Sequence, residues 1–488
     1  MNHLMPLTAD AAYNRNVADL ASARGVDTVH FSHKLCHNAD DLMDSPEQAA
    51  NMRDLLRMYR DHGIKVWCWT HEVKNPPAQL VDDGKLLADE DALYTHLEKK
   101  YATFFQETLP GLEGLVLTFA ETQFPVYQED RIKSTLDRGA RTERLIRHMH
   151  GICRRHGKGL AIRDFVYRVD EVKAFRDVIQ RLPEDVVIMS KCVPHDWHPY
   201  YPDNPLVGDV GGRTQWIEHD FGLEYEGQHL YPYANFPEIF RRYRHGHASG
   251  CRTLCLRLDR YAGDFGQSAI HTPWGKILLQ SALSFEANPN LTLDEFWAQV
   301  PEGGLIRPLL ESSTEAVCGF LFPMHFWFGD HSNLPSHHYA RTHLVGGAAD
   351  RLVDWVGGTL YEERERNFEN MPLSFYRELE AEANESLAQV SRCEILLEAF
   401  PSELAAEWRP GVENLRLWAE LIVSRRDVFF SRRLMEERPT DISEAHLDRK
   451  NSEFQALLRE AIPRVAEQRL EGRMPNFSRR HPWQNFFV

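Results

Sequence analysis

Three acidic residues that each follow a predicted strand are the first candidates for chemistry: Glu121 in LTFAETQFPVY, Asp196 in VPHDWHPYYPDNPLVG and Glu224 in EHDFGLEYEG. Cleavage of a glycosidic bond needs a protonated carboxyl that donates to the leaving oxygen and an ionised carboxylate that activates water or attacks carbon. Aromatic neighbours such as Trp197 and Tyr225 could desolvate one carboxyl and stack on sugar rings. One carboxylate at a strand end is usually structural, whereas three on separate strands favour acid–base chemistry.

Two cations, Arg163 and Lys191, end neighbouring predicted strands. A cation at the end of a barrel strand must find an anion, and Asp164, Asp196 and Glu121 are the expected partners in a purely structural role. In a functional role the two cations would hold a substrate carboxylate, Arg163 through a bidentate fork and Lys191 as a point charge. The residues alone leave both interpretations open.

A metal site is a further alternative, because His195 and His198 lie on either side of Asp196 and because His219 and Asp220 follow on the next predicted strand. Divalent-metal isomerases and hydrolases built on barrels use such ligands. Most of the 24 histidines of the chain are nevertheless expected to be ordinary polar residues. We therefore expect no bound metal and no cofactor.

The elements that must position these residues follow a regular order. Up to about residue 290, β-rich runs alternate with amphipathic helical stretches, which is typical of a parallel sheet covered by helices. Eight strands are predicted at residues 2–7, 27–33, 65–73, 114–122, 159–167, 186–191, 213–220 and 253–259. Eight strand–helix units predict a (β/α)8 TIM barrel of the α/β class, with the site at the carboxyl ends of its strands.

Helices alone are predicted in the rest of the chain. We predict a catalytic barrel over residues 1–310 and a mainly α-helical C-terminal domain over residues 311–488. The apolar stripes of the later helices fit an internal bundle, which we favour, or a dimer interface. The aromatic segment 320–339 is expected either to form the interface between the domains or to lean over the barrel mouth.

The composition excludes several kinds of partner. A net charge of −16 argues against nucleic acid, which needs a basic face. The longest apolar run, residues 316–328, is too short and too interrupted to cross a membrane, and MNHLMPLTAD lacks the pattern of a signal peptide. The eight cysteines form no CxxC pair, so reduced thiols in a cytoplasmic protein are expected.

The motifs resemble, in order along the chain, those of the α-glucuronidases of glycoside hydrolase family 67. The resemblance is carried by NH at residues 2 and 3, HGIKVW, GLVLTFAETQFPVY, GKGLAIRDFVY, VVIMSKCVPHDWHPYYPDNPLVG, EHDFGLEYEG, LDRYAG and ANPNLTLDEFW. It implies an exo-acting hydrolase that inverts the anomeric configuration. Its substrate would be an acidic oligosaccharide, above all one with α-linked glucuronic acid, and the enzyme would be a homodimer.

The resemblance also implies roles for individual residues. Glu121 takes the position of the general acid, and Asp196 and Glu224 take the positions of two carboxylates that activate water. Arg163 and Lys191 match the cations that hold the carboxylate of the uronic acid. In inverting enzymes the two carboxyl groups lie about 6.5–9.5 Å apart. Further substrate contacts are expected from the side chains of His3, His33, His195, Trp197, Tyr225 and Arg260.

The sequence departs from the family at Leu4, where relatives carry a tryptophan that packs on the sugar, and at Thr118, where they carry a lysine. The family's N-terminal β-sandwich domain is also expected to be absent, since the first motif lies at the start of the chain. We therefore expect a divergent relative. Three alternatives stay open: an exo-glycosidase for galacturonic or sialic acid, a metal-dependent sugar isomerase or hydrolase, and a carbohydrate-binding protein without turnover.

Overall fold

Eight parallel strands close into a barrel, which confirms the predicted fold class. The computed structural model describes residues 2–166, 168–260, 267–329, 331–346 and 351–467. The strands are His3–Met5 (β1), Thr28–Phe31 (β2), Lys65–His71 (β3), Gly114–Thr118 (β4), Gly159–Arg163 (β5), Val187–Lys191 (β6), Gln215–Asp220 (β7) and Thr253–Arg257 (β8). Each lies inside its predicted run and ends at or before the end of that run, because the chain leaves the barrel there to form the loops that carry the candidate residues.

Parts of four predictions lie outside the described residues. They are Tyr167 at the end of the fifth predicted strand, residues 261–266 with the YAG of LDRYAG, residue 330 in the aromatic segment, and residues 468–488 of the predicted helical domain.

Strand β1 closes the barrel by pairing with both β8 and β2, so that His3 lies opposite Cys255 on one side and Thr28 on the other. Successive side chains of a barrel strand point alternately inward and outward. A separate interior cluster contains Met5, Trp67, Trp69, Val116, Ala161, Met189, Trp216 and Cys255. The polar residues at the strand ends therefore rest on a packed, largely apolar interior.

The packing around Trp67 depends on two glycines at the first positions of β4 and β5. A Cβ atom added at Gly114 or at Gly159 would lie 2.5 Å from the indole ring of Trp67. The indole also meets the ring of Trp216 edge-on, with 4.9 Å between the ring centroids. Glycine at both positions thus leaves the space that Trp67 fills inside the barrel.

Helices cover the outside of the barrel in the connections between most strands. They are Ala11–Arg24 (α1), Ala39–Met43 (α2), Pro46–Asp61 (α3), Asp91–Thr103 (α4), Arg138–Arg155 (α5), Val169–Arg181 (α6), Phe236–Ala248 (α7) and Pro273–Ala287 (α8). Side chains that accept from the first turn start six of them: Asp10, Asn38, Ser45, Asp137, Asn235 and Thr272. A small sheet of Val81–Asp82, Lys85–Leu87 and Ile132–Lys133 lies outside the barrel order.

The connection from β6 to β7 differs from the others, because residues 192–214, all of them described, contain no helix. Side-chain hydrogen bonds hold this loop against the barrel instead. Arg242 of α7 donates to the carbonyl oxygens of Cys192 at 2.9 Å and Tyr201 at 2.8 Å. Gln215 of β7 donates to the carbonyl oxygen of Leu206 at 3.0 Å. The proline-rich stretch is therefore held in place along its length, with Asp196 near its start.

The C-terminal part of the chain is helical. Its helices are Leu293–Gln299 (α9), Gly303–Leu321 (α10), His337–Val345 (α11), Leu352–Val356 (α12), Thr359–Asn370 (α13), Leu373–Glu398 (α14), Ser402–Glu437 (α15) and Glu444–Glu467 (α16). Helix α10 packs on α14, α14 on α15 and α15 on α16. A domain boundary between residues 310 and 311 would cut α10, which runs through both positions. Within the described residues, no helix combines the length and apolarity needed to cross a membrane.

We predict that Gly159→Ala lowers the free energy of unfolding by about 1–3 kcal/mol, because the added methyl group overlaps the rigid indole of Trp67. Urea denaturation measures the change. Gly304→Ala is the matched control, since a Cβ atom there meets no other atom within 4 Å. Equal stability of the two variants would contradict this account of the barrel interior.

Candidate active site

A buried ion pair spans the interior of the barrel near the carboxyl ends of its strands. The Nε atom of Arg163, the last residue of β5, donates to Oε2 of Glu218 on β7 at 2.7 Å. Glu218 is completely buried. A buried carboxylate costs several kcal/mol unless a cation compensates its charge, so each member of this pair requires the other.

This pairing corrects one expectation. The sequence favours Asp164, Asp196 or Glu121 as anions for the two cations, and for Arg163 that is wrong, because β5 and β7 lie on either side of β6 and their side chains meet across the interior. Asp164 instead accepts a hydrogen bond from the hydroxyl of Ser190 at 2.5 Å.

Lys191, the last residue of β6, pairs with Asp196 as expected for a structural role. The Nζ atom of Lys191 lies 2.7 Å from Oδ1 of Asp196, and the hydroxyl of Tyr225 donates to Oδ2 at 3.0 Å. Burial alone would raise the pKa of Asp196, but the charges of Lys191 and His195 hold that pKa below its usual range. Asp196 is therefore ionised at neutral pH.

Glu224 is the second ionised carboxylate, and three groups surround it. Its Oε1 atom lies 2.8 Å from Nη2 of Arg260 and 3.1 Å from Nε2 of His331, and its Oε2 atom lies 2.9 Å from Nη2 of Arg257. Burial opposes the charge of Glu224, but Arg260 and Arg257, followed by His331, lower its pKa well below the ordinary value.

Tyr225 and His331 connect the two carboxylates. Their rings stack with 4.8 Å between the centroids, and the tyrosine hydroxyl lies 3.5 Å from Nε2 of His331. The tyrosine hydroxyl contacts Asp196 and the imidazole contacts Glu224. The side chains of Tyr225 and His331 therefore form a continuous polar link between the two carboxylates. His331 follows helix α10, so the C-terminal part of the chain completes the site.

Aromatic rings surround the two predicted cations. The guanidinium carbon of Arg163 lies 4.9 Å from the ring centre of Trp69 and 5.0 Å from that of Phe165. The Nζ atom of Lys191 lies 4.2 Å from the ring centre of Phe165 and 4.6 Å from that of Trp197. Both cations therefore contact Phe165, which brings their charges together beside flat apolar surfaces.

Asp220, at the end of β7, has a raised pKa, in contrast to the lowered pKa values of Asp196 and Glu224. It accepts hydrogen bonds from the backbone N–H groups of Gly222 at 3.1 Å and Glu224 at 2.7 Å, and Arg257 lies 3.7 Å away. Burial, with added repulsion from Glu224, raises the pKa of Asp220 to about 6 despite the opposing charge of Arg257. The charge of the site therefore changes between neutral and mildly acidic pH.

Glu121 lies at the same end of the barrel, three residues after β4, and is exposed to solvent. Its charge acts on Lys34 and His37 in the loop after β2. Its backbone has a left-handed φ of 53°. Such a conformation costs about 1–3 kcal/mol in a non-glycine residue, and positions of this kind cluster at functional sites.

The remaining predicted contacts divide between the site and the barrel interior. His33 lies in the site, 3.2 Å from Nη1 of Arg260. His195 is buried against Phe165 and against Trp355 of α12, with 5.3 and 5.9 Å between ring centroids. The aromatic segment 320–339 packs against the loop after β6, where Trp327 meets the ring of His198. The same segment reaches Glu224 through His331.

His3 is not brought to the carboxylates. Its Nδ1 atom lies 3.0 Å from Nε2 of His30 and 3.6 Å from Sγ of Cys255. Cys255 precedes Arg257 by two residues on β8, so His3 lies one interior layer below the charged groups. The substrate contact expected at His3 stays a prediction, and in this structure the imidazole faces His30 and Cys255.

The histidines of the proposed metal alternative do not gather around Asp196. Nδ1 of His198 accepts from the backbone N–H of Tyr200 at 3.1 Å, and its ring packs against Trp327 with 4.3 Å between centroids. His219 packs against Tyr243 on the outer side of β7. In the described parts of the chain, the ligand atoms of these histidines do not converge with the carboxylate of Asp196.

Sequence reasoning missed Arg257 and His331, considered Asp220 only as a metal ligand, and placed Glu218 at a strand end without a partner. A period-two pattern could have indicated that Glu218, Asp220 and Arg257 point inward, since charges at alternate positions near the end of a strand point into a barrel. No local pattern marks His331, because its place depends on how the helical part of the chain folds back over the barrel.

We predict that Arg163→Met lowers the free energy of unfolding by about 3–5 kcal/mol, because it leaves Glu218 buried without a cation. Combining it with Glu218→Gln should restore part of that loss. Arg155→Met, which removes a cation from the exposed pair with Glu98, should cost at most about 1 kcal/mol. A double variant as unstable as the sum of its two single variants would show that the pair is not coupled.

Comparisons with known proteins agree on the fold. No protein-family model matches the chain, and no curated protein matches it. Among solved structures, the chain is similar to a GH138 enzyme targeting pectin rhamnogalacturonan II, at 12% sequence identity and a TM-score of 0.58 over 95% of this chain and 76% of that one. It is also similar to a mutant O-GlcNAc hydrolase of Thermobaculum terrenum, at 13% identity and a TM-score of 0.46 over 95% and 89% of the two chains. The match to the GH138 enzyme shows that the chain shares its fold with that glycoside hydrolase.

Proposed function

We propose that the protein is a glycoside hydrolase that removes an acidic sugar, α-linked glucuronic acid above all, from the end of an oligosaccharide. The observation that carries the proposal is the pair of ionised carboxylates, half-buried Asp196 and buried Glu224, at the carboxyl ends of the barrel strands. Glycosidic cleavage needs an ionised carboxylate beside a protonated acid, and Tyr225 and His331 link the two carboxylates.

The cations favour an acidic sugar over a neutral one. Arg163, Lys191, Arg257 and Arg260 lie in one buried cluster with the carboxylates. A sugar carboxylate bound between Arg163 and Lys191 would face two positive charges beside Phe165, whose ring excludes water from one side. Trp69 and Trp197 flank the same cations and offer flat faces on which a sugar ring can stack.

The roles we assign follow the resemblance to family 67. Asp196 and Glu224 orient the attacking water and accept its proton, and Glu121 donates a proton to the leaving oxygen, with inversion of the anomeric configuration. Because Lys191 and the arginines lower the pKa values of both carboxylates, each is a weak base on its own. A bound uronic acid would share those cations, and the carboxylates would then regain basicity.

The comparisons support the reaction class at the level of the fold. The GH138 neighbour targets pectin rhamnogalacturonan II, so a barrel of this architecture is used to cleave a polysaccharide. Membership of family 67, the inverting mechanism, the homodimer and the cytoplasmic location stay predictions.

The first test is hydrolysis of a panel of acidic oligosaccharides, with the released anomer followed by proton NMR. Glu121→Gln and Asp196→Asn should each lower turnover by about 10²–10⁴-fold with the fold intact, because each removes a proton-transfer group. Glu98→Gln is the control, since it changes an exposed carboxylate on α4.

Four other outcomes of this hydrolysis test would contradict part of the proposal or all of it. Near wild-type turnover by Glu121→Gln on a good substrate would remove Glu121 as the acid, and release of the retained anomer would contradict inversion. Binding of the oligosaccharides without any product would instead identify a carbohydrate-binding protein. Activity that is lost with a chelator and restored by a divalent metal would identify a metal-dependent enzyme.

The binding of a free uronic acid should strengthen as the pH falls from 7.5 to 5. Protonation of Asp220, whose pKa is about 6, removes one negative charge from the cluster, which should lower the Kd by about tenfold. Isothermal titration calorimetry measures this change. Asp220→Asn should bind tightly at both pH values, whereas Asp209→Asn, which alters an exposed ion pair with Arg176, should behave like the wild type. The same pH dependence in Asp220→Asn and wild type would contradict the assignment.

A further inference from the structure

Three side chains with metal-binding atoms meet inside the barrel, one layer below the candidate active site. Nδ1 of His3 on β1 lies 3.0 Å from Nε2 of His30 on β2 and 3.6 Å from Sγ of Cys255 on β8. All three ligand atoms lie within 4.8 Å of one another. All three residues are buried, with 5%, 0% and 0% of their surfaces exposed.

The spacing of these atoms matches that of ligands around a small metal ion. Bonds of about 2.05 Å to nitrogen and about 2.3 Å to sulfur, at tetrahedral angles, place two nitrogens about 3.3 Å apart and a nitrogen and a sulfur about 3.6 Å apart. The observed nitrogen–sulfur distance equals the second value, and the nitrogen–nitrogen distance is a few tenths of an ångström shorter than the first. The ligand atoms of His30 and Cys255 lie at most 4.8 Å apart, so an ion could bind after side-chain movements of about 1 Å.

We propose that His3, His30 and Cys255 form a site for a thiophilic metal ion, Zn²⁺ or Cu⁺, that joins the strands on both sides of β1. Thiolate and imidazole ligands select these ions over Mg²⁺ or Ca²⁺. The proposal is independent of the proposed hydrolysis, because none of the three side chains contacts Asp196 or Glu224 in the described part of the chain.

The surroundings explain why a metal suits this position. The ring of Trp216 packs on both imidazoles, with 4.6 Å to the ring centroid of His3 and 5.4 Å to that of His30, and Glu218 on β7 lies opposite Cys255. His3 and His30 share a hydrogen bond, so one of the two facing nitrogens already presents its electron pair. Two imidazoles and a thiol in such an interior gain little from packing alone.

Binding of the ion has a defined proton balance. The thiol of Cys255 loses its proton to solvent as sulfur becomes a thiolate ligand. The proton now shared between His3 and His30 moves to the other nitrogen of the same imidazole ring, so that Nδ1 of His3 and Nε2 of His30 both face the ion. One proton is released for each ion bound, and no redox step is involved.

The test uses the full chain. The protein is refolded in the presence of a chelator, which removes bound metal, and is then titrated with Co²⁺, Zn²⁺ or Cu⁺. Wild type should bind close to one ion per chain, and Co²⁺ should give a thiolate-to-metal charge-transfer band. Cys255→Ser and His30→Gln should lose the band and most of the bound metal. Cys393→Ser is the control, because Cys393 is an equally buried cysteine on α14, a helix without histidine, and lies outside the group of His3, His30 and Cys255.

Circular dichroism checks that each variant is folded, and metal analysis of protein purified without added chelator gives a readout that does not depend on refolding. Retention of Zn²⁺ over Cu⁺, or the reverse, identifies the ion. Two results would overturn the proposal: a folded wild type that takes up none of the three ions, which leaves a hydrogen-bonded histidine pair only, or equal uptake by wild type and a folded Cys255→Ser variant.

Discussion

The candidate site depends on one constraint: every cation at the top of the barrel must have an anion within reach, because the interior beneath it is apolar. Arg163 meets this constraint through Glu218, across the interior of the barrel. Lys191 meets it through Asp196, and Arg257 through Glu224. The carboxylates that could act on a substrate are thus the same groups that allow the cations to be buried.

This arrangement sets the properties of the carboxylates before any substrate binds. The cations keep Asp196 and Glu224 ionised, whereas Asp220, which accepts two backbone hydrogen bonds and lies 3.7 Å from Arg257, has a raised pKa. The positions of the two ionised groups in turn depend on distant parts of the chain. Arg242 fastens the loop that carries Asp196, and the region after α10 contributes His331 to Glu224. The helical region is therefore part of the site.

Much of the fold could be predicted, because strand and helix periods are local properties of the sequence. The eight strands, their order and the ends that carry Arg163 and Lys191 all follow from those patterns. The pairing of Arg163 with Glu218 could not be predicted, since it depends on the register across a closed barrel. His3 shows the same limit: its motif indicates a place near the first strand, but only the closure of β1 against β8 turns the side chain towards Cys255.

The central claim is that this cluster of buried cations selects a sugar with a carboxylate. The most direct measurement compares kcat/KM for uronosides with kcat/KM for the matching neutral hexosides, each pair sharing one linkage and one aglycone. Because a uronic acid can share the cations that pair with Glu218, Asp196 and Glu224, whereas a neutral sugar cannot, we expect at least one uronoside to be preferred by about 100-fold or more. Equal or greater activity on the neutral hexosides would contradict the account.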